Sequence, residues 1–378
     1  MHQLTAATMS TFRHYAENKL GAQPYIPDPG DFVDQPFITA LASFEALAAR
    51  SRDMTNAQGM RLRFECGYVR SMSPNAFAAI YDGAHVIGVN QALLVTIIEF
   101  ALYVFTQADQ FPQIGDAAGE DSPGPAFGAA PGILLLDKTL RGEAMNARKD
   151  AHRVPKDAAR HIAAIYLAML MIRFVWMHEL AHCANGHVLL LRDMNLDAAL
   201  NEVPGPSMLV GFKKAALETA PDARQRVLHA LELDADECAL RTAARIQLWG
   251  GENIEGIARL DPRTRMAMCL LGAYLMTWLF DEYQRFANTV HDRTHPFPKD
   301  RLANLVRYAS TEIGEGIDGY AALHAAICAS FNRLALKIPN MHRIDPETAT
   351  YSPVRYDADL IARLAPLRFV PVTPETSG

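Results

Sequence analysis

The chain has 378 residues, half of them apolar and 21% charged, with 36 Lys and Arg against 42 Asp and Glu for a net charge of −6. That size buries a sizeable core without disulfides or repeats, which excludes disordered and fibrous classes. The mild acidity comes with no long basic run, so the electrostatic footprint of a nucleic-acid binder is missing and nucleic acid is not an expected partner.

Residues 1–55 mix helical periodicity with a Pro/Gly/Asp stretch at 24–36 and read as a helical arm with a loop. From Arg61 the period changes to two. Leu62, Phe64, Cys66 and Tyr68 alternate with Arg61, Arg63 and Glu65, the pattern of a half-buried strand. Residues 75–81 and 84–89 then flank Asp82-Gly83, a strong hairpin signal, and a three-stranded antiparallel sheet is predicted. Asn90 is placed to cap an apolar helix reaching about Phe105. The Gly/Pro-rich residues 115–132 follow, predicted as a mobile loop in an insertion at about 106–155.

A long helix runs from about Asp157 through Cys183 to the Asn185-Gly186 stop. Pro221-Asp222 opens another, ending at Gly250-Gly251, and Asp261-Pro262 opens a third, strongly apolar one to about Ala287. Two more are predicted at about 299–309 and 318–337, and residues 339–378 read as a Pro-rich extended tail. The expected fold class is α+β, predominantly helical, with a small sheet packed on a helical core and a main domain at 56–338.

Five cysteines, Cys66, Cys183, Cys238, Cys269 and Cys328, stand singly without CxxC spacing, which points to a reducing compartment. The opening Met1-His2-Gln3-Leu4-Thr5 lacks the features of a secretory signal, so a cytoplasmic location is expected. The longest charge-free apolar run, residues 266–280, is short of the ~20 residues of a membrane helix. Glu99 and Arg173 interrupt the apolar stretches 93–105 and 163–177, so buried core helices are expected rather than membrane association. The oligomeric state is open.

The chemistry concentrates in His178-Glu179-Leu180-Ala181-His182, inside the long helical pattern. Histidines at i and i+4 project from one helix face, so two imidazoles reach one Zn²⁺, while Glu179 sits roughly 100° round, beside a metal-bound water. The bland alternative is an amphipathic helix with two polar core residues. A catalytic zinc needs a third protein ligand and an open position. His187 is misplaced by one residue for the HExxHxxGxxH spacing and is expected to hydrogen-bond or pack instead.

Leu231-Glu232-Leu233-Asp234-Ala235-Asp236-Glu237 offers the ligand on a second helix. Glu232 and Asp236 share a face at i, i+4, so Glu232 can bind zinc while Asp236 takes the free ring N–H of a ligating histidine. Asp234 and Asp236 are the alternatives for the ligand, and a solvated acidic face is the bland reading. The interspersed Leu231, Leu233, Ala235, Ala239 and Leu240 suit a buried helix better. In Thr294-His295-Pro296-Phe297-Pro298-Lys299-Asp300-Arg301, His295 and Arg301 are both candidates to stabilise an oxyanion, with an ordinary salt bridge of Arg301 as the alternative. Cys183 and Cys238, next to these motifs, read as small buried hydrophobes, because a residue adjacent to His182 points about 100° away on a helix. Met169, Met171, Met177, Met266 and Met268 read as core fillers.

Taken together, these residues resemble the gluzincin metallopeptidases of the family that includes the prenyl-protein (CaaX) endopeptidase, the bacterial heat-shock membrane protease and their soluble relatives. The resemblance rests on HExxH at 178–182, ExxxD at Glu232 and Asp236, His295-Pro296 with Arg301 six residues after the His, and an upstream NAFA segment, Asn75-Ala76-Phe77-Ala78. It implies a zinc endopeptidase with one Zn²⁺ on His178, His182 and Glu232, Glu179 as general base, and His295 or Arg301 on the oxyanion. A protein or peptide substrate would be laid along an edge strand at residues 75–79. The segment HELAHCANGH also resembles that of the phage-exclusion peptidase Lit, which implies a defence protease with one target. A catalytically silent, zinc-stabilised protein-binding module is the alternative from another class; Glu179 discriminates, since a scaffold has no need of a base beside its metal.

Overall fold

The computed structural model describes residues 10–30, 34–49, 53–71, 73–125, 131–132, 153–194, 200–201, 221–249, 260–286, 298–315, 317–345 and 356–371. In chain order the first elements are α1 (Ser10–Lys19), β1 (Gln23–Tyr25), α2 (Gln35–Ala48), β2 (Met54–Thr55), β3 (Phe64–Arg70), β4 (Ala76–Tyr81), β5 (Ala84–Asn90) and α3 (Gln91–Phe105). Then come α4 (Ala158–Ala184), α5 (His187–Asp193), β6 (Leu200–Asn201), α6 (Pro221–Trp249), α7 (Pro262–Phe286), α8 (Pro298–Tyr308), α9 (Tyr320–Lys337), α10 (Ala358–Leu364) and β7 (Val370–Pro371). The chain is mostly helical with a small mixed sheet, an α+β architecture.

The hairpin forms where it was predicted. Asp82 and Gly83 both have positive φ, 49° and 74°, as a two-residue turn between twisted strands requires. The antiparallel three-stranded expectation is corrected, because the sheet runs β1-β3-β5-β4-β6 and β5 lies parallel to β3, from Phe64↔His85 to Val69↔Asn90. The cause is burial. Residues 85–90 are all buried, and a strand covered on both faces gains most from partners on both edges, which a simple meander denies its last strand.

Two-sided cover also ends the alternation in β3. Phe12, Tyr15 and Ala16 of α1 pack on Val69, Phe77, Ala79 and Val86 on one face of the sheet. On the other, Tyr68 lies against Phe37 and Trp176, its hydroxyl donating to the Phe37 carbonyl at 2.8 Å, and Phe44 stacks on Trp176 at 5.0 Å. The N-terminal arm is thus woven into the main core, with β1 paired to β3 across Gln23↔Arg70.

The central helix α4 starts where the Asp157 side chain accepts the Arg160 N–H at 3.0 Å, a polar cap for an otherwise apolar helix. Contrary to the length expectation, α4 is long and apolar enough to cross a membrane. However, 72% of its apolar window is buried inside the protein, as in a core helix. At position 90 the helix start is as expected but its chemistry is not, since the Asn90 amide donates to the Ser73 carbonyl instead of capping α3.

The mobile-loop expectation for residues 115–132 is corrected over 115–125, where Glu120 ties the segment to the start of α4, and the residues just before it are held as well. Arg160, fully buried, donates to the carbonyls of Phe105, Gln107, Gln110, Phe111 and Ile114 at 2.9 to 3.2 Å, while Glu120 accepts from the backbone N–H groups of Lys156 and Asp157. A guanidinium has five N–H donors, and here they satisfy loop carbonyls that leave the end of α3 with nowhere else to go. Residues 126–130 and 133–152 of the insertion lie outside the described residues.

The tail expectation is corrected as well. Residues 356–371 contain α10 and β7, which pairs with β2 at Met54↔Pro371 and Thr55↔Val370. Leu360, Leu364, Leu367 and Phe369 are buried, and the Phe369 N–H donates to the Ala184 carbonyl at 2.8 Å, tying this segment to the end of α4. Residues 346–355 and 372–378 lie outside the described residues.

His85 reports on this packing. Its ring meets Phe369 edge-on at 5.6 Å and its Nδ1 lies 3.3 Å from the Arg63 carbonyl. Burial pushes the imidazole down to about 4, the Arg63 carbonyl opposing and Arg192 adding to the fall. A folded value below the unfolded ~6.5 means stability is fully present above that pH and is lost as pH falls towards 4. Urea unfolding of the metal-free protein should show wild type losing about 2 kcal/mol relative to His85→Phe between pH ~7 and ~4.5. A pH-independent difference would contradict the neutral, buried state.

Candidate metal centre

Helix α4 carries His178, Glu179 and His182 into the core, where each is about 1% exposed. Helix α6 packs along α4 and places Glu232 and Asp236 opposite them, 2% and 0% exposed. Nε2 of His178 lies 2.9 Å from Nε2 of His182, and the Glu232 carboxylate presents one oxygen to each ring, at 3.3 Å from His178 and 3.4 Å from His182. Three donor atoms of these residues lie within 4.8 Å of one another, the one such metal-capable group among the described residues.

The donor set suits a metal. Ligand bonds of ~2.0–2.1 Å in a tetrahedron put donor atoms about 3.3 Å apart. Each carboxylate oxygen stands at about that separation from one ring, and the ring-to-ring distance needs to open by a few tenths of an ångström. The far side of each imidazole is engaged, which leaves Nε2 facing the cluster. Asp236 Oδ1 is 3.0 Å from Nδ1 of His178, and because a carboxylate only accepts, this pairing favours the tautomer with its proton on Nδ1.

Asp236 is itself gripped. Arg301, on α8, donates from Nε at 2.8 Å and from Nη2 at 2.7 Å. Burial alone would raise the Asp236 carboxyl, but the Arg301 charge and hydrogen bond, joined by His178, outweigh it and hold the group below its ordinary value. Arg301 also lies 4.0 Å from Glu232 and 5.6 Å from the Phe280 ring centre. The salt bridge weighed as the alternative for Arg301 is thus present. Arg301 holds the one carboxylate behind His178, for the physical reason that a fully buried Asp236 needs a fixed cation. His295 lies outside the described residues.

His187 takes the hydrogen-bonding role expected of it. The Asn185-Gly186 break is tight, Gly186 having φ +79° and a Cβ there meeting the Leu367 backbone at 2.7 Å. The reversal starts α5 and turns His187 back, so that its Nδ1 lies 2.9 Å from Nδ1 of His182. Its Nε2 lies 2.9 Å from the Tyr356 hydroxyl and 3.2 Å from Asp234. Asp234 thus stands behind His187 and outside the donor cluster, which leaves Glu232 as the carboxylate that faces both rings. Tyr356 had no sequence signal, since nothing local ties a residue of the tail to a helix more than a hundred positions upstream.

Cys183 is fully buried, and burial with the Glu179 carboxylate nearby pushes its thiol well above the ordinary range, in keeping with an inert core residue. Cys238 is half-buried. Met169, Met171, Met177, Met266 and Met268 are all in the core.

The expected substrate edge at Asn75, Ala76, Phe77 and Ala78 is corrected. Strand β6 already pairs there, Phe77↔Asn201 and Ala78↔Leu200, so β4 is an inner strand at Phe77 and Ala78. The Phe77 side chain is turned into the α1 contact, 5.4 Å from Tyr15. An apolar edge of this kind is covered by the chain itself, as sheets generally arrange.

Compared with protein-family models, with curated proteins and with solved structures, the chain matches none. The class that fold and site define is a helical α+β protein with a buried His/His/Glu cluster able to hold a metal ion.

Proposed function

We propose that the protein is a zinc-dependent endopeptidase, acting on a protein or peptide substrate, in which His178, His182 and Glu232 hold one Zn²⁺ and Glu179 is the general base. The observation that carries the reading is a further buried carboxylate, Glu179, on the same helical turn as a three-donor cluster. Three protein ligands leave a fourth position for water, and a metal that only stabilises a fold has no use for a base beside it. The low exposure of all four side chains suits a site in which charges act at low dielectric.

Zinc, when bound, supplies Lewis acidity, lowering the pKa of a water to about 7 and polarising a carbonyl. Glu179 takes the proton of the attacking water at its carboxylate and hands it to the leaving amine. Asp236, anchored by Arg301, keeps the His178 proton on Nδ1 and its ring in one orientation. Covered by β6, the β4 edge is not offered to a substrate at Phe77 and Ala78, so binding there needs β6 to move.

The purified protein supplied with zinc is expected to cleave an unstructured protein such as a casein, to stop when a chelator removes the metal, and to resume on adding zinc back. Cleavage that persists in metal-free protein overturns the proposal. So does a zinc-saturated protein that hydrolyses no member of a broad peptide library, which is the outcome of a silent zinc-stabilised module.

A further inference from the structure

The two histidines of the cluster are backed differently. His178 meets a carboxylate directly, through Asp236 at 3.0 Å. His182 meets another histidine, and a carboxylate stands only behind that one: His187 Nδ1 at 2.9 Å, then Asp234 at 3.2 Å and the Tyr356 hydroxyl at 2.9 Å from His187 Nε2. We infer that His187, Asp234 and Tyr356 form a positioning chain for His182, so that the C-terminal segment completes the metal centre. The inference rests on the metallopeptidase reading in one respect, that Nε2 of His182 is a ligand atom.

Proton bookkeeping gives the chain a direction. A ligating Nε2 leaves the His182 proton on Nδ1, which donates to Nδ1 of His187. His187 then carries its own proton on Nε2 and donates towards the Tyr356 oxygen and Asp234, and the Tyr356 hydroxyl in turn donates to Asp234. Asp234, which can only accept, ends the chain, and it is held in place by the Asn185 amide at 2.6 Å, with Arg368 at 3.8 Å. Every donor has an acceptor in this arrangement, and reversing any link leaves a donor facing a donor or breaks the ligand.

Chain topology makes the same point. His187 sits one residue beyond the left-handed Gly186, against which Leu367 packs. Tyr356 and Arg368 flank α10, and Phe369 donates to the carbonyl of Ala184, two residues after His182. The segment therefore touches this chain at Tyr356 and Arg368 and the end of α4 at Phe369.

The test measures metal, with no substrate present. Zinc affinity is read by chelator competition, and the cobalt-substituted protein is read by its visible d–d bands, which follow ligand geometry. His187→Ala and His187→Phe should each weaken zinc roughly 10- to 100-fold and shift the cobalt bands. Phe fills the space but accepts no hydrogen bond. His187→Asn, whose Oδ1 falls near the lost Nδ1, should recover most of the affinity. Tyr356→Phe removes one hydroxyl, leaves the fold intact, and should weaken zinc by a smaller factor with a smaller band shift. Apo-protein thermal unfolding identifies any variant that fails to fold, and Tyr356→Phe then decides. Wild-type affinity and bands in both His187→Phe and Tyr356→Phe overturn the positioning chain while leaving the metallopeptidase reading intact. A wild-type protein that binds no zinc overturns both.

Discussion

Glu179→Gln should reduce peptide hydrolysis by roughly 10²- to 10⁴-fold while leaving stoichiometric zinc and the fold unchanged. The amide keeps the volume and the accepting oxygen of the carboxylate, so the packing of α4 is preserved, but it has no basic oxygen to receive a proton. Glu179 is about 1% exposed, and a neutral amide in that position costs less to bury than a carboxylate, so stability should not fall. Zinc stays because its three donors come from other residues. Turnover, metal content and thermal unfolding are measured on the same preparation. Turnover within a factor of a few of wild type, with zinc in place, assigns the proton transfer to another group.

The second large effect is on the metal. Sharing the ~10–16 kcal/mol of a four-ligand structural zinc site among its ligands gives about 3 kcal/mol each, so Glu232→Ala should weaken zinc by roughly two orders of magnitude. Activity should vanish at zinc concentrations that saturate wild type. The apo fold is expected to survive, because the buried Arg301 keeps its two hydrogen bonds to Asp236. Asp234→Ala provides the contrast, since Asp234 stands behind His187 and outside the donor cluster, and it should cost less affinity than Glu232→Ala. Metal analysis after dialysis against a weak chelator separates the cases. Full zinc retention in Glu232→Ala would move the third ligand elsewhere.

Much of the site was legible because helices convert spacing into direction. His178 and His182 at i, i+4 inside an apolar helical pattern, and Glu232 with Asp236 at the same spacing in another, define two faces before any contact between them is known. Helix ends were legible too, at Asp157, at Asn185-Gly186 and at Pro262, since caps and breakers act on neighbouring backbone groups. The hairpin at Asp82-Gly83 belongs to the same class.

Sheet order was not legible, because strand pairing depends on which faces are covered, and the cover on β3 and β5 comes from α1, far away in the chain. The same holds for the β4 edge, closed by two residues from beyond α5. Residues 115–125 have the composition of a mobile segment and are tied by Glu120 to the start of α4, while Arg160 of the same helix holds the residues before them.

From its residues alone the chain determined the apolar core helix, its capped ends and the one-sided display of two imidazoles, all of which follow from local backbone geometry and periodicity. Only the tertiary structure decided what those imidazoles face and what holds them: Glu232 in front, Asp236 with Arg301 behind one ring, and His187 with Asp234 and Tyr356 behind the other. The reason is that a buried polar group must find a partner, while the partner's place in the chain is set by packing of distant helices and carries no local signature.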